Sequence, residues 1–102
     1  MVNHAGTLDP LSITFAALAD PTRLKIMRYL TNESLTPSEI ARRLQLRPPT
    51  VTHHLRELRI AGLVEFALMH DENRYTVRKQ ALGAVYENLN SFLQGEQIKE
   101  PA

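Results

Sequence analysis

Apolar residues recur at a helical period over most of this chain, and the clearest stretch lies between Thr36 and Val64. Ile40, Ala41 and Leu44 form one apolar face. Val51, Leu55 and Leu58 follow at i, i+4 and i+7 and form a second. The spacing predicts two short helices. Thr36 caps the first, Pro37 takes its first position, and Glu39 falls three residues after the cap, the pattern of a reciprocal capping box. Gln45-Leu46-Arg47 is long enough only for a turn. The second helix runs from Pro48 to about Ala61, since proline begins a helix but does not continue one, and Gly62 stands where a left-handed stop is wanted.

Helical patterns also precede this pair. Asp9-Pro10 and Asp20-Pro21 each place a capping carboxylate before a first-turn proline. They predict one helix from Pro10 with Leu11, Phe15 and Leu18 on a face, and another from Pro21 to about Leu30. In the latter Leu24, Ile26, Met27 and Leu30 wrap around much of the surface, as in a helix enclosed by its neighbours. Leu35 is placed for a one-residue strand. After Gly62 the pattern changes: Leu63–Met69 and Arg74–Val77 are strand-forming, and His70-Asp71-Glu72-Asn73 reads as the turn between them, where Asn73 tolerates a left-handed conformation. A last helix spans about Gln80 to Gln94, stopped by Gly95, with Leu82, Val85, Leu89 and Phe92 at heptad spacing and Tyr86 beside them. The expected order is α-α-α-α-β-β-α: a mainly α domain over 9–94 with one small hairpin, between flexible tails at 1–8 and 95–102.

Two helices joined by a tight turn, with a β-hairpin directly after the second, make a winged helix-turn-helix. With Val51, Leu55 and Leu58 inward, Pro49, Thr52, His53 and Arg56 point outward, a face of hydrogen-bonding groups and a cation suited to a DNA major groove. Many small helical domains carry basic residues on a helix pair, so the hairpin is what sharpens the reading. Its tip holds Asp71 and Glu72, which phosphate would repel, leaving Arg74 and Arg78 as the wing's expected DNA contacts. The first and last helices each keep a free apolar stripe, too much for a domain of 102 residues to absorb. Leu11, Phe15, Leu18, Leu82, Val85, Tyr86, Leu89 and Phe92 are therefore expected to form a homodimer interface.

A net charge of +1 favours no partner, but its distribution does. Residues 22–79 hold eleven Lys/Arg against six Asp/Glu, a balance of +5, while 1–21 and 80–102 each balance to −2. A basic middle between acidic ends fits a DNA-facing centre. The absence of cysteine excludes disulfides and thiolate metal sites. No signal-like or membrane-spanning run occurs, so a cytoplasmic protein is expected. No Ser-His-Asp set, paired carboxylates or Gly-rich phosphate loop points to an enzyme, and no cofactor is expected.

Phe15–Leu30, FAALADPTRLKIMRYL, and Pro49–Val64, PTVTHHLRELRIAGLV, resemble the ArsR/SmtB family of winged-helix repressors. The resemblance covers about residues 11–93 and implies a homodimer on an inverted-repeat operator, repressing transcription. It carries the family's DNA-reading positions to Thr50, Thr52, His53, His54 and Arg56. The residue spacing agrees for Thr52, His53 and Arg56 but sets His54 at the edge of the buried face, where a hydrogen bond within the domain competes with a DNA contact. Two departures stand out. Family members often cap the recognition helix with Ser, where this chain has Arg47 and then two prolines that remove backbone donors; Arg47 is expected to supply a phosphate contact instead. The family's metal-sensing cysteines correspond to Thr36 and Ser38. His4, His53, His54 and His70 are scattered, and Glu87 has no partner at ligand spacing, so no metal site is expected. The alternatives are a winged-helix module for protein contact, or the DNA-binding part of a longer regulator. The effector, if any, and the operator sequence are not legible.

Overall fold

The computed structural model describes residues 9–95. Elements follow in the order α1 (Pro10–Leu18), α2 (Pro21–Asn32), α3 (Pro37–Leu44), α4 (Pro48–Ile60), β1 (Val64–Met69), β2 (Glu72–Val77) and α5 (Lys79–Leu93). This is the expected winged helix-turn-helix order. The expected tails at 1–8 and from 96 onward lie outside the described residues.

Each proline-led helix starts as its sequence requires. Asp9 accepts the Ser12 N–H at 2.9 Å, and Asp20 accepts the Arg23 N–H at 3.0 Å. Arg23 also donates from Nε to the Ala17 carbonyl at 2.7 Å, which ties the start of α2 to the end of α1 and fixes the corner between them. The capping box is complete: the Thr36 N–H donates to Glu39 Oε1 at 2.9 Å, and the Glu39 N–H donates to Thr36 Oγ1 at 3.2 Å.

The core gathers Ile26, Met27 and Leu30 from α2, Leu35, Ile40 and Ala41 around α3, Val51, Leu55 and Leu58 from α4, then Leu63, Val64 and Val77 at the base of the wing. Leu24 is exposed, contrary to the wrapped helix expected for α2. That helix buries one stripe and leaves Leu24, Lys25 and Arg28 to solvent.

β1 and β2 pair antiparallel, from Val64 opposite Val77 to Met69 opposite Glu72. Only His70 and Asp71 form the turn, with φ of 50° and 64°. The four-residue turn expected from the sequence is therefore too long, and Asn73 is not left-handed: it sits in β2 opposite Leu68. A two-residue connection with both residues at positive φ matches the right-handed twist of the strands, whereas a looser turn would splay them. On the far side of β2, Leu35 and Tyr75 form the expected isolated bridge.

Arg74 departs from its expected place as a free cation on the wing. Its guanidinium donates from Nη2 to the Ser34 carbonyl at 3.1 Å and from Nε to Ser34 Oγ at 3.3 Å. Nη2 also lies 3.1 Å from the Glu39 carboxylate, and Nη1 lies 3.4 Å from that of Glu72. The side chain is 24% exposed. It rivets the wing to the α2–α3 connection, because the Leu35–Tyr75 bridge brings β2 alongside that connection.

α5 packs against α1 and buries none of its residues. Ala81 and Val85 touch the core, while Leu82, Phe92 and Leu93 are exposed and Tyr86 is 73% exposed. α1 turns Thr14 and Ala17 inward, half-buries Leu11 and Leu18, and exposes Phe15. Of the expected stripes, Phe15, Leu82, Tyr86 and Phe92 are thus open to solvent in the single chain, while Leu11, Leu18, Val85 and Leu89 are half-buried.

Arg74→Ala is expected to lower stability by about 1–3 kcal/mol, since it strips charge-assisted hydrogen bonds and leaves the Ser34 carbonyl in need of a donor. Urea unfolding of wild type and variant measures this. A midpoint that does not move would show that the rivet bears no strain.

Candidate nucleic-acid interface

The candidate surface is built on the α3–turn–α4 unit. α3 ends at Gln45, which takes the left-handed conformation at φ 56°, ψ 44°. Its N–H and that of Leu46 return to carbonyls in the last turn of α3, so the chain reverses within Gln45–Arg47. α4 then starts at Pro48 with Arg47 in the cap position, making no side-chain capping bond. The prolines have no N–H, and those of Thr50 and Val51 both go to the Arg47 carbonyl, at 3.0 and 3.3 Å. This helix start has no spare backbone donor for a phosphate. The Arg47 side chain is exposed there and makes no capping bond.

Burial of Val51, Leu55 and Leu58 fixes the rotation of α4 about its axis. Pro49, Thr50, Thr52, His53 and Arg56 are consequently exposed. Arg47 and Arg56 make no hydrogen bond or ion pair among the described residues. Arg59, one turn on from Arg56, lies 5.3 Å over the Phe66 ring and braces β1 instead. Arg42 was overlooked in the sequence because it sits among ordinary surface residues of α3. It is exposed beside the α3–α4 turn and has no ion partner among the described residues, whereas its neighbour Arg43 is engaged by Glu33 at 2.6 and 2.9 Å and by the Tyr29 ring.

His54 is half-buried where α4 meets the start of α2. The hydrogen bond within the domain expected as one role for it does not form: its Nδ1 is enclosed without a partner. Burial pushes the imidazole below its ordinary value of 6.5, Asp20 opposes that, and Arg23 and His53 add to the drop. These surroundings favour the neutral ring over the charged one.

The wing brings few cations to this surface. Arg74 is riveted inward, and Arg78 donates from Nη1 to the Gly62 carbonyl at 3.0 Å with Glu65 at 3.9 Å. His70, Asp71 and Glu72 at the tip are exposed. Among the described residues no group of three His or carboxylate side chains is gathered as a metal site, and no helix is long and apolar enough to cross a membrane.

A turn-linked helix pair whose second helix turns a polar, unpaired face outward, followed by a two-stranded wing, defines a winged helix-turn-helix protein. A helix-turn-helix domain family model matches residues 18–65. A transcriptional repressor SmtB homolog from Synechocystis sp. is 30% identical over 80 residues, covering 78% of this chain and 61% of that protein. The structure of an ArsR-like transcriptional regulator from Rhodococcus sp. RHA1 is 30% identical, with a TM-score of 0.79 over 84% of this chain and 81% of that one. The chain belongs to the ArsR/SmtB family of winged helix-turn-helix proteins. It spans about three-fifths of the length of the first curated relatives it matches. A more distant fold neighbour from Mycobacterium bovis, 22% identical with a TM-score of 0.68, is described as a homodimeric DNA-binding domain.

The buried imidazole sets a pH dependence. A histidine whose folded value lies below its unfolded one binds its proton more weakly when folded, so the stability it contributes is present above about pH 6.5 and is lost as pH falls below it. Wild-type stability should decline as pH falls below about 6.5, above the range where the lowered carboxylates of Asp20 and Glu39 titrate. His54→Gln should flatten that segment in chemical unfolding at stepped pH. Parallel curves would mean that enclosure of the ring has no energetic consequence.

Proposed function

We propose that this chain is a sequence-specific DNA-binding transcriptional regulator, acting in the cytoplasm as a homodimeric repressor on an inverted-repeat operator. The observation that carries the reading is the Thr52, His53 and Arg56 face of α4: exposed, without a hydrogen bond or ion pair among the described residues, and held by the buried Val51, Leu55 and Leu58 on the opposite side. Arg56 reads guanine or grips phosphate, Thr52 and His53 reach base edges, and Thr50 and His54 flank them. Arg47 and Arg42 grip the backbone on either side of the turn. Arg74 has left this set, since its donors are spent on Ser34 and Glu39.

The dimer rests on α1 and α5. Leu11, Phe15, Leu18, Leu82, Val85, Tyr86, Leu89 and Phe92 are its expected residues; one chain exposes Phe15, Leu82, Tyr86 and Phe92 and half-buries the other four, and fully burying an exposed large side chain contributes roughly 1.5–3 kcal/mol. A two-fold axis through that seam presents two equivalent recognition helices to half-sites about one helical turn apart. The second half-site then binds as an effectively intramolecular event.

Three outcomes follow. Arg56→Ala should weaken operator binding by ~1–3 kcal/mol, and affinity should fall steeply with salt. Retention of genomic fragments that ignores both changes would remove the α4 face from the interface. Leu89→Glu should leave a folded chain of half the wild-type mass at micromolar concentration, read by light scattering beside circular dichroism, and should abolish specific binding. A variant of unchanged mass, or an unfolded one, would assign the stripe to the protomer core. Zinc at one equivalent should leave DNA affinity unchanged, and release of DNA by tight zinc binding would reveal a metal site between protomers.

A further inference from the structure

The wing ends in an unguarded sheet edge. Tyr75 donates its N–H to the Leu35 carbonyl at 2.7 Å and accepts the Leu35 N–H at 3.1 Å, so both of its backbone groups face away from β1. Its cross-strand partner is Phe66. In an antiparallel pair, opposed residues either bond each other or both turn outward. Phe66, and Leu68 two residues on, therefore direct their N–H and C=O groups away from β2. The sheet has two strands, and residues 65–69 are all exposed, with Leu68 at 69%. Natural edges are blunted by lysine, proline or a bulge. β1 reads Val-Glu-Phe-Ala-Leu-Met: it has no lysine, proline or bulge, its register with β2 runs unbroken, and its one charge, Glu65, lies at the base of the strand 3.9 Å from Arg78.

We propose that the outer edge of β1 pairs antiparallel with the β1 edge of a second copy of this chain, about a two-fold axis at Ala67. In that register Phe66 faces Leu68 of the second copy, and Leu68 faces its Phe66. These are the residues whose backbone groups point outward, so both pairs close with reciprocal hydrogen bonds. Their side chains share one face and meet as apolar cross-strand pairs. The charges are self-complementary. Glu65 falls opposite Met69 rather than another carboxylate. The Asp71 tip comes level with Leu63 of the second copy, beside which Arg78 is anchored on the Gly62 carbonyl. An arbitrary extended peptide would have no built-in match to an acidic tip and a basic base, and DNA would be repelled by Asp71 and Glu72. The patch is far smaller than a standard interface, so the contact is weak and forms at high protein concentration. It is separate from the α1–α5 seam. If that seam holds a dimer, edge pairing joins two dimers; if it does not, edge pairing joins two single chains.

The test is sedimentation velocity over a rising concentration series on wild type and Leu68→Lys, with amide exchange of the wild type at both ends of the series. Lysine at this exposed position blunts the edge and leaves the hairpin ladder intact. The wild-type mass should climb toward twice that of Leu68→Lys, and the Phe66 and Leu68 amides should exchange more slowly at high concentration. Equal masses throughout would overturn the pairing. So would a Leu68→Lys protein that loses DNA affinity at unchanged mass, because the strip would then lie against DNA. If the variant misfolds, the wild-type exchange decides alone: flat Phe66 and Leu68 rates overturn the proposal and slowed rates uphold it.

Discussion

Everything this molecule presents depends on how α4 is rotated about its own axis. A helix of 3.6 residues per turn cannot change one face without moving the other. Val51, Leu55 and Leu58 are sealed against Ile26, Leu30, Leu35 and Ile40, so Thr52, His53 and Arg56 have no alternative to solvent. Undoing that rotation would expose the largest buried side chains of the domain. The interface is thus held by apolar packing that takes no part in recognition itself.

Much of this was legible in the residues. Caps and prolines mark the helix starts because their chemistry is local: a carboxylate three residues from an N–H finds it whatever the rest of the chain does. The register of α4 was legible because three buried positions set it. Long-range relations were not. Arg74 reads as a free wing cation, yet Ser34 is forty positions away in sequence and meets it only after the Leu35–Tyr75 bridge forms. The hairpin turn was misjudged for a related reason. No glycine marks a two-residue turn there, and the six-residue ladder is what sets His70 and Asp71 at positive φ. His54 falls between these cases: its place at the edge of the buried face was readable, but not its unpartnered nitrogen.

Eight of the eleven cations of the basic middle fall into two groups. Arg23, Arg43, Arg59, Arg74 and Arg78 are spent on carbonyls, carboxylates or aromatic rings of the protein itself. Arg42, Arg47 and Arg56 cluster along the α3–turn–α4 unit with no such commitment. A count of charges would treat all of them alike. Their partners separate those that hold the wing and corners from those available to a polyanion.

The paired prolines opening α4 act before any partner arrives. Pro48 and Pro49 hold φ near its helical value in the unfolded chain as well, so fewer conformations are lost when the turn closes. A helix start that lacks a side-chain cap is thereby ordered by the chain's own stiffness. The cationic side chain just ahead of it, Arg47, projects from a pivot with little freedom of its own.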